Sequence, residues 1–409
     1  MAIILNTNGY CNFMLKTVDK VSPLSLYIHI PFCTVRCSYC AFNVYTQHET
    51  MIPQFVDALC QEISWVGQRQ LHPAQVHTIY FGGGTPTLMT PAHFQQILAA
   101  IADVFEVLPE AEISTEANPN DLLIPNQLRG LKAAGINRLS IGVQSFKADD
   151  LALFGRLHYP HTIVEAVTLA RQVGFENLNL DLIFGLPNQT LADWQSNLAG
   201  ILALAPEHLS LYGLELEPGT AMTYWVEQGK VSSPDEDLAA EMYELAEAQL
   251  ASAGFVHYEI SNWSKPQRES RHNKQYWYNL PYLGFGPGAH GYANETRYAV
   301  QRSPQRYIHS LLSGTATPTT FPLSPAVEEF HTVAPEDAQS ETIMMGMRLV
   351  EEGVSLKRFK QRFGEDLLTL RQAPIQQYSQ TGHLEVTQDC LRLTAAGRLI
   401  SNRILRDLI

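Results

Sequence analysis

The chain has 409 residues, with 28 Lys/Arg against 41 Asp/Glu and only six cysteines. Two domains are expected at this length, and the formal net charge of −13 argues against a general nucleic-acid binder, because phosphate contacts need basic surface. No apolar run approaches a membrane span, and the start shows no basic stretch followed by an apolar one, as a secretory signal would.

Residues 1–22 have no clear periodicity and read as an N-terminal extension, with Met14 an alternative start. From there short apolar runs alternate with amphipathic stretches, the pattern of a parallel sheet with crossover helices. Strands are predicted over 24–30, 78–83, 112–117, 138–144, 177–185 and 208–216. Helices are predicted over 53–67, 91–105, 160–173 and 191–204. The fold class is therefore α/β, an open, partial (β/α)6 barrel over 23–235. Residues 236–303 complete the barrel, through an acidic helix closed by Gly254 and a strand over 256–264. Residues 304–335, rich in Pro, Ser and Thr, read as a linker. Residues 336–409 read as helices, a hairpin and a last helix, a smaller α+β winged-helix-like domain. From Ser355 onward nine Lys/Arg face five Asp/Glu, a balance that reads first as a solvated helix face and second as a contact for an acidic partner or membrane surface.

Cys33, Cys37 and Cys40 lie within eight residues as C-x3-C-x2-C. Clustering with low overall cysteine use argues for a reducing compartment and metal binding over a disulfide. Three thiolates on one loop can hold three irons of a cubane cluster and leave the fourth open for a small molecule. The alternative is structural zinc with His29 or His48 as the fourth ligand. Ile30, Phe32, Tyr39 and Phe42 supply an apolar shell, and Cys60 reads as a core residue. Gly82, Gly83 and Gly84 let a ligand approach the backbone, or simply make a tight turn before Pro86; no Lys-Ser/Thr follows, so this is not a phosphate-binding Walker loop. Glu116, Gln144 and Asp181 fall in or at the ends of predicted strands, on the side where α/β barrels place ligand chemistry. Asp181, in an apolar strand, is a buried acid in want of a partner.

The words YIHIPFC, YFGGGTPTL, EANP, RLSIGVQSF, DLIFGLP and HNKQYW, in this order from about Leu24 to the C-terminus, resemble the radical S-adenosylmethionine (SAM) proteins of the oxygen-independent coproporphyrinogen III oxidase-like family, in its heme-chaperone branch. The resemblance implies a [4Fe–4S] cluster on Cys33, Cys37 and Cys40. It implies SAM contacts from Tyr27, Tyr39, Gly83, Gly84, Thr85, Glu116, Gln144, Arg156 and Asp181. It implies heme contacts from His272, Asn273, Tyr276 and Trp277, against the plainer reading of a polar loop with docked aromatics. His290, in GFGPGAHGY, is set beside the adenine or the porphyrin without a firm role. No catalytic residue is assigned. The decarboxylating dehydrogenases of the family carry a further cysteine two positions after the third cluster cysteine, where this chain has Phe42. The branch thus implies a cytoplasmic protein that takes heme to respiratory apoproteins, is served by an electron donor, and can touch a membrane peripherally. The alternatives are an anaerobic coproporphyrinogen III dehydrogenase and a zinc-stapled structural protein.

Overall fold

The structure, a computed structural model, describes residues 23–314 and 319–409; the expectation for residues 1–22 lies outside them. One sheet carries twelve strands: β1 (Leu24–Ile30), β2 (Gln75–Gly83), β3 (Glu106–Ala117), β4 (Arg138–Gln144), β5 (Leu178–Phe184), β6 (His208–Gly213), β7 (Val256–Glu259), β8 (Asn262–Ser264), β9 (Tyr282–Phe285), β10 (His290–Ala293), β11 (Thr296–Val300) and β12 (Val327–Thr332). Their order is β12-β11-β10-β9-β1-β2-β3-β4-β5-β6-β8-β7, and the sheet does not close. The run β9-β1-β2-β3-β4-β5-β6 is parallel, so the barrel has one more parallel strand than the six predicted. β9 is only four residues long and lacks a crossover helix of the usual kind, which hides it from pattern reading.

Strand alternation separates two environments. In β4, Leu139, Ile141 and Val143 join the main apolar core with the surrounding helices. The helix over Ile52–Gly67 answers with Phe55, Val56, Leu59, Ile63 and Val66, all buried at helical spacing. Pro160 opens the helix Pro160–Val173 and Gly174, at φ 95°, ends it. Thr190 and Asp193 form a capping box on Leu191–Ala203. The other face of the strands is polar: Ser25, Thr78, Ser114, Arg138, Ser140, Asn179, His208 and Ser210 are all buried.

Three predicted boundaries differ. VHYEISNWS is not one strand but two, β7 and β8, paired antiparallel. The stretch predicted as a linker is built into the barrel. It holds a helix over Pro304–Leu312 and edge strand β12, and it buries Tyr307, Leu311 and Ala326 in the main core; residues 315–318 lie outside the described ones. The buried Glu62 carboxylate fixes this segment. It accepts from Tyr307 Oη at 2.6 Å, Ser324 Oγ at 2.6 Å and the Gly286 N–H at 2.9 Å, so Ser324 serves a carboxylate rather than solvent. HNKQYW lies on a helix, Arg271–Trp277, not on a loop.

The C-terminal unit has its own core around Ile343, Phe359, Leu391 and Ile404 and a three-stranded sheet of 354–355, 390–393 and 384–386. Ion pairs tie it to the barrel: Arg348 to the fully buried Glu259 at 2.9 Å, and Arg297 to Glu341 through two bonds of 2.6 and 2.7 Å. Among the described residues, no helix is long and apolar enough to cross a membrane.

Candidate cluster and cofactor site

The cysteine loop leaves the C-terminal end of β1. Its foot is a two-residue parallel pairing of Phe32–Cys33 with Tyr45–Thr46. Its tip is docked by the Ser38 N–H on the Phe154 carbonyl at 3.0 Å, by Ser38 Oγ on the Leu153 carbonyl at 2.8 Å, and by Tyr39 edge-on against Phe154. Thr85 Oγ1 lies 3.5 Å from Cys33 Sγ and accepts from Asn118 Nδ2 at 3.1 Å. Arg156 Nη1 lies 3.6 Å from Cys37 Sγ. Burial pushes the Cys33 thiol up to about 11, against the pull of Thr85; a coordinating metal deprotonates such a thiol outright. Among the described residues, no three His, Cys, Asp or Glu side chains are gathered as one metal ion requires. His29 also has both ring nitrogens engaged, Nδ1 with Tyr27 Oη at 2.9 Å and Nε2 with the Asn43 carbonyl at 3.1 Å. A cubane suits the loop better, because each thiolate then takes a different iron.

The glycine run ends β2 beside this loop. Gly83 has φ 110°, and a Cβ there would meet the His29 ring at 2.4 Å. A Cβ on Gly84 would meet the Phe32 carbonyl oxygen at 2.5 Å. The Gly84 and Thr85 N–H groups donate to the Ile30 and Phe32 carbonyls, each at 2.8 Å, so the run is stitched to the cluster loop by its backbone. Glu116, at the end of β3, accepts from Tyr80 Oη at 2.9 Å and the Gly83 N–H at 3.0 Å. Burial, with the Asp181 charge, raises Glu116 to about 7. Asp181 accepts from Asn179 Nδ2 at 2.7 Å, and burial raises it to about 6. Gln144 sits at φ 66° where the β4–β5 register shifts, and its Oε1 is buried with no hydrogen-bond partner among the described residues. Arg156 Nη2 donates to the Gly142 carbonyl at 2.7 Å. A buried orphan carbonyl, a glycine cradle, two acids and a guanidinium thus converge beside the thiols. That donor set fits an amino-acid and ribose-bearing ligand: the guanidinium suits a carboxylate, the acids suit hydroxyl or ammonium groups.

The HNKQYW helix lies at the opposite end of the strands. Its Arg271 and His272 N–H groups face Glu112 of β3. His272 is 1 % exposed and stacks on Tyr80. Thr78 spends its hydroxyl proton on Ser25 Oγ, at 2.6 Å. It therefore accepts from His272 Nδ1 at 2.8 Å, and His272 Nε2 accepts from Tyr276 Oη at 2.8 Å. Burial lowers His272 to about 3. In this arrangement its lone pair is used by Tyr276, and the expectation of a ligand-facing imidazole does not match its surroundings. The Asn273 N–H donates to the capping Ser270 Oγ, and Trp277 is covered by the Arg348 guanidinium. Tyr276 alone of the four lines the open cavity.

That cavity, about 600 Å³, reaches from Tyr27, Gly83 and Glu116 out past Phe42 to His290 and Arg302. Sequence reasoning missed Tyr80, Asn118, Asn179 and Arg302. Tyr80 was within reach, because it shares the lumen side of β2 with Gly82 by the period-two rule.

The Radical SAM superfamily model matches residues 27–198, and the HemN C-terminal domain model matches residues 333–400. The chain is 36% identical over 385 residues to a protein named heme chaperone HemW of Bacillus subtilis (strain 168), covering 93% of this chain and 97% of that one. It is 40% identical over 341 residues to heme chaperone HemW of Synechocystis, covering 82% and 80%. Among solved structures it is similar to coproporphyrinogen III oxidase (HemN) from Escherichia coli, with TM-score 0.79 and 23% identity over 95% of this chain and 90% of that one. The last likeness concerns the fold alone.

Proposed function

This chain belongs to the radical SAM superfamily, in the family of the HemW relatives, and from that premise we propose that it is a cytoplasmic heme chaperone. It binds heme and passes it to heme-accepting apoproteins. Cys33, Cys37 and Cys40 ligate a [4Fe–4S] cluster, and SAM lies between Gly83, Gly84, Thr85, Glu116, Gln144, Arg156 and Asp181, with Tyr27 and Tyr39 at its flanks. When bound, this group supplies one-electron chemistry on a sulfonium, with the electron coming from a separate donor. The chain's own part is to position and shield. Thr85 and Arg156 direct donors at two cluster sulfurs, Arg156 meets the ligand's carboxylate, and Gln144 Oε1 takes a donor from it. Glu116, held near neutrality by burial, shares or releases a proton at Oε1 beside the ligand hydroxyls.

The observation that carries the chaperone reading, beside the full-length similarity, is Phe42. It stands where the dehydrogenases have a cysteine, and its ring is 66 % exposed at the cavity mouth. The second reading, anaerobic coproporphyrinogen III dehydrogenase, draws on the shared fold. Anaerobic reconstitution, heme titration and an assay of coproporphyrinogen turnover with SAM and a reductant separate them. One heme per chain without turnover is expected. Turnover without stable heme binding overturns the chaperone reading.

A further inference from the structure

A heme site commonly combines three things: an axial ligand, most often an imidazole with a free lone pair, an apolar surface for the porphyrin, and a cation for its carboxylates. HNKQYW does not offer the first, as shown above. Among the described residues, two histidines line the open cavity. His29 has both nitrogens bonded. His290 is exposed, and among the described residues its ring makes no hydrogen bond.

We propose that heme binds across the mouth of this cavity, with His290 as the axial ligand to iron, Phe42 against the porphyrin face and Arg302 on a propionate. This rests on the heme-carrying reading and names its site. The three side chains come from separate segments, and one residue joins them. Asn43, next to Phe42, donates from Nδ2 to the Pro287 carbonyl at 3.0 Å and to the Arg302 carbonyl at 3.0 Å. Tyr45 Oη also donates to the Arg302 carbonyl, at 3.1 Å. The turn leading to His290 is packed so closely that a Cβ on Gly286 would meet the His29 carbonyl oxygen at 2.4 Å, and one on Gly288 would meet the Asn43 amide at 2.6 Å. Positive φ at both glycines, 95° and 88°, makes that turn. The mouth is therefore a fixed junction that presents an unpartnered imidazole, an exposed ring and a cation. Arg302 is exposed and makes no ion pair among the described residues; of the two glutamates on the same wall, Glu328 is paired with Arg306 at 3.3 Å and Glu329 makes no ion pair among the described residues. An inner wall of Tyr27, Gly83 and Glu116 is shared with the SAM region, so heme placed here covers the entrance to the cluster.

The test is a hemin titration of the full chain with its cluster reconstituted, followed by visible absorbance. Wild type and His272→Gln are expected to bind one hemin with the same Soret position. His290→Ala is expected to lose about tenfold or more in affinity and to shift the Soret band. Added imidazole should restore the band in His290→Ala, which separates a lost ligand from a damaged fold. Phe42→Ala and Arg302→Ala should each weaken binding while leaving the Soret position in place. Wild-type affinity and spectrum in His290→Ala would overturn the assignment and leave the heme reading standing. Absence of hemin binding by wild type would overturn both.

Discussion

The guanidinium of Arg156 bridges the cluster loop and the barrel: Nη1 is 3.6 Å from Cys37 Sγ and Nη2 is 2.7 Å from the Gly142 carbonyl. Its planar fork sets both contacts at once, and a lysine cannot reproduce them. Arg156→Lys should keep iron and sulfide content after reconstitution yet bind SAM about tenfold more weakly, a loss of ~1.4 kcal/mol. Equilibrium dialysis with labelled SAM decides it; wild-type affinity in Arg156→Ala removes the residue from the SAM site.

Gly84 faces backbone rather than a flexible side chain, because a Cβ there would lie 2.5 Å from the Phe32 carbonyl oxygen and 2.8 Å from that of Ile30. Gly84→Ala must push the cluster loop away from β2. A destabilisation of roughly 1–3 kcal/mol is expected, with a matching fall in iron bound per chain. Iron analysis beside thermal unfolding checks both at once.

Glu116 is raised to about 7 from 4.5 and Asp181 to about 6 from 3.8, each chiefly by burial. The folded state thus holds these protons more tightly than the unfolded chain does. The stabilisation is complete below the unfolded pKa values and is lost as pH rises through about 6 to 7. These two acids should therefore contribute less to the stability of the apo chain at pH 8 than at pH 5, while buried His29, His158, His208 and His272, whose folded pKa values are lowered, act in the opposite sense. Glu116→Gln should remove its share from the slope of stability against pH, by at most roughly 3 kcal/mol across the range. Equal slopes in the two proteins would show that Glu116 carries no such proton.

His272 is a structural member of the lumen. Removing it strands the Tyr276 hydroxyl proton, takes one donor from Thr78 Oγ1 and leaves a cavity beside Tyr80, so His272→Ala should cost roughly 2–4 kcal/mol. His272→Gln, which can both donate and accept, should recover part of it. Because burial lowers His272 to about 3, its neutral state stabilises the fold above the unfolded pKa near 6.5 and loses that effect as pH falls. Chemical denaturation of the three proteins at pH 7 and pH 5 measures both effects.

Much of this was legible in the residues. β1 and β4 run over the residues predicted, and so does the helix Pro160–Val173, because apolar runs bounded by Pro, Gly and polar words leave little choice. Glu116 and Gln144 were expected at one end of the sheet, and the parallel strand order delivers them there, while Asp181 lies within its strand, as expected, at the middle of β5. What stayed hidden depends on contacts far apart in sequence. The predicted linker is held by Glu62, more than two hundred residues away. The HNKQYW word carries polar letters that read as a ligand site, yet Glu112, Thr78 and Tyr276 absorb them. The turn between β7 and β8 has no glycine or proline to mark it, and Ile260 and Ser261 pass for strand residues.

The first strand of the barrel is also one of its inner ones. β1 pairs with β9 as well as with β2, and Glu62 waits for Tyr307, 245 positions further on. As the chain leaves the ribosome, the edge of β1 stays open and the Glu62 carboxylate stays solvated until the last third of the barrel has been made. Closing loops of that span is slow and leaves an unpaired strand edge in the meantime. The cysteine loop, which emerges directly after β1, gains the floor beneath it only once β9 has been made. Iron delivered before that point would meet thiols on an unfinished scaffold.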